Sequence, residues 1–103
     1  MRIIERKMNE AITTSKDWRM DNTEVVNEGG VSTVYLHHNK IAEVGDTWLC
    51  LFDGGWQSTT TKSRLNAILR VHGNGEGIYQ KNFKWFISTA EGDKEFKSGL
   101  VLA

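Results

Sequence analysis

The segment GGWQSTTTKSRLN, residues 54–66, decides the fold, because a strand-like run leads into it and an amphipathic helix leads out. Its two glycines let the chain turn, since glycine accepts positive φ at little cost. The hydroxyl side chains that follow are typical of a helix N-cap, and we expect Thr59, Thr60 or Thr61 to be that cap. The segment therefore predicts the change from β-structure to a helix.

The clearest helix is predicted over residues 60–72. An apolar stripe at i, i+3, i+4 and i+7 is formed by Leu65, Ile68, Leu69 and His72. A polar row on the opposite side, with a spacing of four, is formed by Lys62, Asn66 and Arg70. The chain after this helix carries Gly73 and Gly75, which end it with residues that tolerate positive φ.

Alternating apolar and polar residues on both sides of this helix predict strands. A meander of about four strands is predicted at residues 23–28, 31–37, 40–44 and 47–52. A hairpin at 77–80 and 83–89, with an apolar face of Phe83, Trp85 and Ile87, precedes a final strand at 94–102. A first helix is predicted at residues 2–14 and a loop at 17–22.

The order αββββαβββ over residues 1–103 predicts one α+β domain, an antiparallel sheet with two helices against one face. The 13 basic and 13 acidic residues balance, so no overall positive field would attract nucleic acid. The single cysteine, Cys50, excludes an intrachain disulfide framework and is expected to be buried. Neither a membrane-spanning stretch nor a secretion signal is expected, so an intracellular setting is the default.

The helix start is the candidate binding site. Backbone N–H groups, hydroxyls and a lysine at a helix N-terminus suit a phosphate or a carboxylate. The candidate residues are Trp56, Thr60, Thr61, Lys62, Asn66 and Arg70. The alternative is a purely structural cap whose Lys62 and Arg64 are solvated or pair with acids. A nucleotide-hydrolysing phosphate loop is excluded, because the Gly-Lys-Ser/Thr ending is missing at the required spacing.

Trp56 has two possible roles, as a lid on the core or as an exposed anchor for a partner. Catalytic groupings are not evident, and the chain is not predicted to be an enzyme or to bind a cofactor. A metal site is not predicted either, because His37 and His38 would point to opposite faces of one strand.

The run Gly54-Gly55-Trp56-x-Ser58-x-Thr60-Thr61-Lys62-x-Arg64-Leu65-Asn66 resembles a motif of small uncharacterised bacteriophage proteins. Similar segments are Tyr35-Leu36-His37-x-Asn39-x-Ile41-Ala42, Tyr79-Gln80-Lys81 with Trp85, and Arg2-Ile3-Ile4-Glu5-Arg6-x-Met8-Asn9-x-Ala11-Ile12. The resemblance implies an accessory protein in the cytoplasm of an infected bacterial host.

Two hypotheses follow for its use. The first is a binding protein that inhibits a host or anti-phage defence protein, in keeping with the phage resemblance, the neutral charge and the missing catalytic set. The second is binding of nucleic acid or a nucleotide through the Thr-Thr-Lys helix start, with a base stacked on Trp56.

Overall fold

Two antiparallel sheets and two helices make up the structure, a computed structural model that describes residues 1–103. The elements are α1 (Ile3–Thr13), β1 (Trp18–Met20), β2 (Thr23–Glu28), β3 (Val31–Leu36), β4 (Asn39–Val44), β5 (Leu49–Leu51), α2 (Thr59–His72), β6 (Gly77–Lys81), β7 (Lys84–Thr89), β8 (Gly92–Glu95) and β9 (Leu100–Leu102). The predicted α+β class is confirmed, with a helix first and a second helix between two groups of strands.

The larger sheet has six strands in the order β1-β2-β3-β4-β5-β9, and the smaller one has three in the order β6-β7-β8. Four of its strands, β2 to β5, form the predicted meander. Its last strand, β9, comes from the C-terminus and pairs with β5, so that Leu49 lies opposite Leu102. The C-terminal segment therefore leaves the smaller sheet and forms an edge strand of the larger one.

The core lies between the larger sheet, the two helices and the inner face of the smaller sheet. A row of buried side chains crosses four neighbouring strands in register: Val25, Val34, Ala42 and Leu51. The predicted stripe of α2 packs on this core through Leu65, Ile68 and Leu69, which are almost fully buried. Cys50 is buried as expected, and burial raises the pKa of its thiol because the thiolate would be poorly solvated.

The predictions for two segments near the ends of the chain, one a loop and the other a strand, were wrong. Residues 17–22 were predicted as loop, but Trp18–Met20 pairs with β2, and Asp17 next to it accepts a bond of 2.8 Å from the Asn27 N–H. The strand predicted at residues 94–102 is two strands in different sheets. Between them Phe96 turns inward, buried with its ring centroid 5.6 Å from that of Trp85. The Phe96 N–H still donates to the Trp85 carbonyl oxygen at 2.9 Å, and the chain leaves the smaller sheet after this residue.

Two hairpin turns also differ from the prediction. The β3–β4 turn is His37–His38, both with positive φ, so β3 ends at Leu36 and neither histidine lies in a strand. The β6–β7 turn is Asn82–Phe83, and Phe83 is 94% exposed instead of lying on the apolar face with Trp85. In both hairpins the register of the strands places the turn one position away from the predicted site.

Asn66 joins α2 to the edge of the smaller sheet. Its amide Nδ2 donates to the Ile78 carbonyl oxygen at 2.9 Å, and its Oδ1 accepts from the Ile78 N–H at 2.7 Å. The side chain thus occupies both backbone groups of one residue of β6, as a neighbouring strand would. Without this side chain, the N–H and carbonyl groups of Ile78 at the edge of the smaller sheet would lack hydrogen-bond partners beneath the helix.

Replacing Asn66 by Ala should lower the free energy of unfolding by about 1–3 kcal/mol, because two partly buried backbone groups lose their partner. Arg70→Ala, an exposed change on the same helix, should stay within about 0.5 kcal/mol. Urea denaturation of both variants checks the expectation. Equal, small effects of the two substitutions would show that water replaces the Asn66 side chain without loss.

Candidate binding site at the start of the second helix

Ser58 is the N-cap of α2, which corrects the expectation that Thr59, Thr60 or Thr61 would be. Its backbone is extended, with φ −93° and ψ 160°, and its Oγ accepts from the Thr61 N–H at 3.1 Å. The hydroxyls of Ser58 and Thr61 also share a hydrogen bond of 2.9 Å. Residues 58–61 all carry hydroxyl groups that can cap a helix. Which of them is the N-cap depends on the backbone conformation of the turn before the helix.

Arg64 is buried and does not face solvent. Its Nη1 donates to Glu5 Oε2 at 2.9 Å, its Nε to Thr23 Oγ1 at 3.0 Å, and its Nη2 to Asn22 Oδ1 at 3.3 Å. Ser63 donates a further bond of 2.6 Å to the same Glu5 oxygen. Of the structural alternatives for Arg64, pairing with an acid is the one observed. The pair joins both helices to the β1–β2 turn.

Three of the residues predicted to bind a ligand line an open cavity of about 310 Å³: Trp56, Thr60 and Thr61. Two line another cavity, of about 540 Å³: Asn66 and Arg70. Lys62 is half-buried, lines neither cavity and takes part in no ion pair. The structure therefore does not bring the six residues together in one place.

The cavity of about 310 Å³ lies between the helix start and the end of the β3–β4 hairpin. Buried Leu36 and Ile41 line it on one side, and Trp56, which is 75% exposed, lines it on the other. Gly54 holds the two parts close, because a Cβ there would lie 3.3 Å from the Ile41 Cγ2. The exposure of Trp56 favours its role as an anchor over that of a lid.

The polar groups of this cavity are largely engaged within the chain. Thr61 is buried and bonded to Ser58, as described above. Asp53 accepts a bond of 2.8 Å from the Gly55 N–H, which shapes the turn and adds a carboxylate to the lining. Sequence reasoning missed Leu36, Ile41 and Asp53 as lining residues. Two of them belong to a hairpin that is distant in sequence, so no local pattern could indicate them.

Neither a metal centre nor a membrane span is observed. No group of three or more His, Cys, Asp or Glu side chains is placed to hold a metal ion. The helices are also too short or too polar for either of them to cross a membrane.

The protein is thus a small α+β protein with an exposed tryptophan beside an open cavity. The chain matches the family model described as Kyanoviridae Gp96 protein over residues 1–103, and it belongs to that family. The expected relationship to bacteriophage proteins is thereby confirmed. No curated protein and no solved structure matches the chain.

Ser58→Ala should lower the free energy of unfolding by about 1 kcal/mol, because the Thr61 N–H loses its acceptor. Thr59→Ala, the next residue along and exposed, should have almost no effect. Thermal and urea denaturation of the two variants distinguish them. A larger loss for the Thr59 variant would place the cap at Thr59.

Arg64→Met should destabilise the protein by about 3–5 kcal/mol, because the Glu5 carboxylate then stays buried without its partner. Arg6→Met, an exposed change on α1, is the matched control and should have little effect. Urea denaturation near neutral pH measures both. A loss for Arg64→Met as small as that of its control would show that water reaches Glu5.

Acid should weaken the same interaction. Burial alone would raise the pKa of Glu5, but hydrogen bonds from Ser63 and Arg64 and the Arg64 charge outweigh it and lower that pKa. Because the folded-state pKa lies below the unfolded one, the stabilisation is complete above the ordinary value of 4.5 and is lost as the pH falls through the folded-state pKa. In Glu5→Gln this part of the pH dependence of unfolding should disappear.

Proposed function

We propose that this phage protein is a non-enzymatic binding protein that inhibits a host or anti-phage defence protein in the cytoplasm of the infected bacterium. The observation that carries the proposal is the position of Trp56, 75% exposed at the mouth of a cavity of about 310 Å³. Membership in the Kyanoviridae Gp96 protein family supports the phage context.

Tryptophan is the residue type most suited to this role. Its indole offers a large apolar surface with few rotatable bonds, and buried tryptophans are among the commonest energetic anchors of protein interfaces. Leaving such a side chain in water forgoes the free energy that burial would provide. A partner that covers Trp56 would recover it.

The cavity beside Trp56 provides the complementary half of the contact. Its apolar part is formed by Leu36 and Ile41, which are largely buried beneath the opening, and its volume suits one or two side chains of a partner. The Trp56 indole could insert into a partner, and the cavity next to it could accept a side chain from that partner. Such pairs are typical of the well-packed centre of a protein interface.

A phosphate at the same helix start has less support. The Thr61 hydroxyl is already bonded to Ser58, and the Asp53 carboxylate lines the same cavity and would repel an anion. Asn66, expected to contribute to such a site, is bonded to Ile78 instead. We therefore favour a protein partner at this surface.

Trp56→Ala should abolish capture of the partner. Tagged wild-type protein and the variant are incubated with lysate of the bacterial host, and retained proteins are identified by mass spectrometry. With the purified partner, the dissociation constant should rise roughly 30-fold or more, as for interface anchors worth about 2 kcal/mol. Trp56→Ala should leave the melting temperature unchanged, since the side chain is largely exposed.

Val101→Ala is the matched control, since Val101 is also an exposed apolar residue but lies on β9. It should retain the partner. A partner retained equally by the Trp56 and Val101 variants, or no specific partner of the wild type, would contradict the proposal.

A further inference from the structure

The turn between β6 and β7 places a phenylalanine where the backbone disfavours it. Asn82 and Phe83 form a two-residue turn with φ of 52° and 64°. Positive φ at both positions is the type I′ geometry, in which Asn-Gly is the preferred pair and a bulky side chain is strained. Phe83 is nevertheless 94% exposed, more than any other large hydrophobic residue of the chain.

Two lysines flank this turn in an equally unfavourable arrangement. Lys81 and Lys84 lie directly opposite each other as the last pair of the hairpin, and both are exposed. Like charges at directly opposed positions destabilise a sheet. Neither lysine takes part in an ion pair.

The hairpin tip, residues 81–84, thus combines backbone strain, an exposed ring and unpaired like charges. Places where a sequence departs from the rules of local stability are where function is expected.

The strand register extends this surface along one face of the hairpin. The pair next to the lysines on that face is Tyr79 and Phe86, whose ring centroids are 5.7 Å apart with planes at 21°. Both rings are half-exposed. Trp85 and Ile87 point to the opposite face and are buried in the core. The outer face therefore carries the two lysines followed by a stacked aromatic pair, and the exposed Phe83 lies at the turn next to the lysines.

We infer that the hairpin tip binds single-stranded nucleic acid, with a base stacked on Phe83 and phosphates bound by Lys81 and Lys84. Aromatic stacking beside backbone phosphate contacts is how proteins hold single strands without reading sequence. The centres of protein interfaces, by contrast, are depleted of lysine. One ring and two charges are also a weak anchor for a membrane surface.

Acidic residues limit the extent of this site. On the third strand of the same sheet, Asp93 accepts a bond of 2.7 Å from the Tyr79 hydroxyl, and Glu95 lies opposite Phe86. Their carboxylates would repel phosphates at that edge. The bound strand is therefore confined to the tip, and its affinity should be modest and strongly dependent on salt. The site is separate from Trp56 and does not rest on the proposed function.

The test uses the full chain and a short fluorescently labelled oligothymidine, titrated by anisotropy. For the wild type we expect binding that weakens between about 50 mM and about 200 mM salt. Phe83→Gly should weaken it roughly tenfold or more through loss of stacking. The same substitution should raise the melting temperature, because an Asn-Gly pair fits the turn better. Weaker binding by a more stable protein cannot result from misfolding.

The charge contribution is tested with Lys81→Gln/Lys84→Gln. Loss of two phosphate contacts should lower the slope of log affinity against log salt by about 1.4. Lys7→Gln/Lys16→Gln, which removes two exposed, unpaired lysines elsewhere, is the matched control and should keep affinity within about twofold.

Three results would overturn the inference. One is the absence of oligothymidine binding at the lower salt concentration. Another is wild-type affinity in Phe83→Gly. The third is binding of the tip to phosphatidylserine vesicles, lost in Phe83→Gly, without binding to the oligonucleotide.

Discussion

The buried ion pair between Arg64 and Glu5 is the interaction on which the arrangement of the helices depends. A charge taken out of water is tolerated only when its partner and further hydrogen bonds are well placed. Here Ser63, Thr23 and Asn22 supply those bonds, so α1, α2 and the β1–β2 turn must meet at one point. A sliding movement of either helix would leave a charge buried without a partner, which fixes their relative position more strictly than apolar packing does.

With α2 fixed in this way, its polar side chains have structural roles that resemble those of a ligand site. Ser58 caps the helix, Arg64 pairs with Glu5, and Asn66 binds the edge strand of the smaller sheet. Two aromatic residues, by contrast, are exposed where burial would be expected. Trp56 and Phe83, which a hydrophobicity pattern would assign to the interior, are among the most exposed large side chains. These polar side chains of α2 therefore make contacts within the chain, while two large aromatic side chains stand exposed on its surface.

These two aromatic residues lie in different chemical surroundings. Trp56 stands beside a cavity with apolar walls and a carboxylate, which suits a protein surface. Phe83 stands between two lysines, which suits a chain of phosphates. A phage protein of 103 residues thus presents two distinct surfaces on one core. Because the surfaces belong to separate loops, a substitution in one should leave the other intact.

The sequence alone determined whether each main element is a helix or a strand, through the spacing of its apolar residues. The spacing of Leu65, Ile68 and Leu69 predicted α2, and alternation predicted the meander, because local periodicity selects which backbone geometry buries an apolar face. Only the tertiary structure decided the partners. Glu5 and Arg64 are 59 residues apart, and nothing near either residue indicates the other. Likewise β9 lies in a segment predicted to be a strand, but its pairing with β5 in the larger sheet was not predictable. Phe83 became exposed because the pairing register placed the turn at its position. Pairing between distant segments depends on the shape of the whole core, and a local pattern carries no information about that shape.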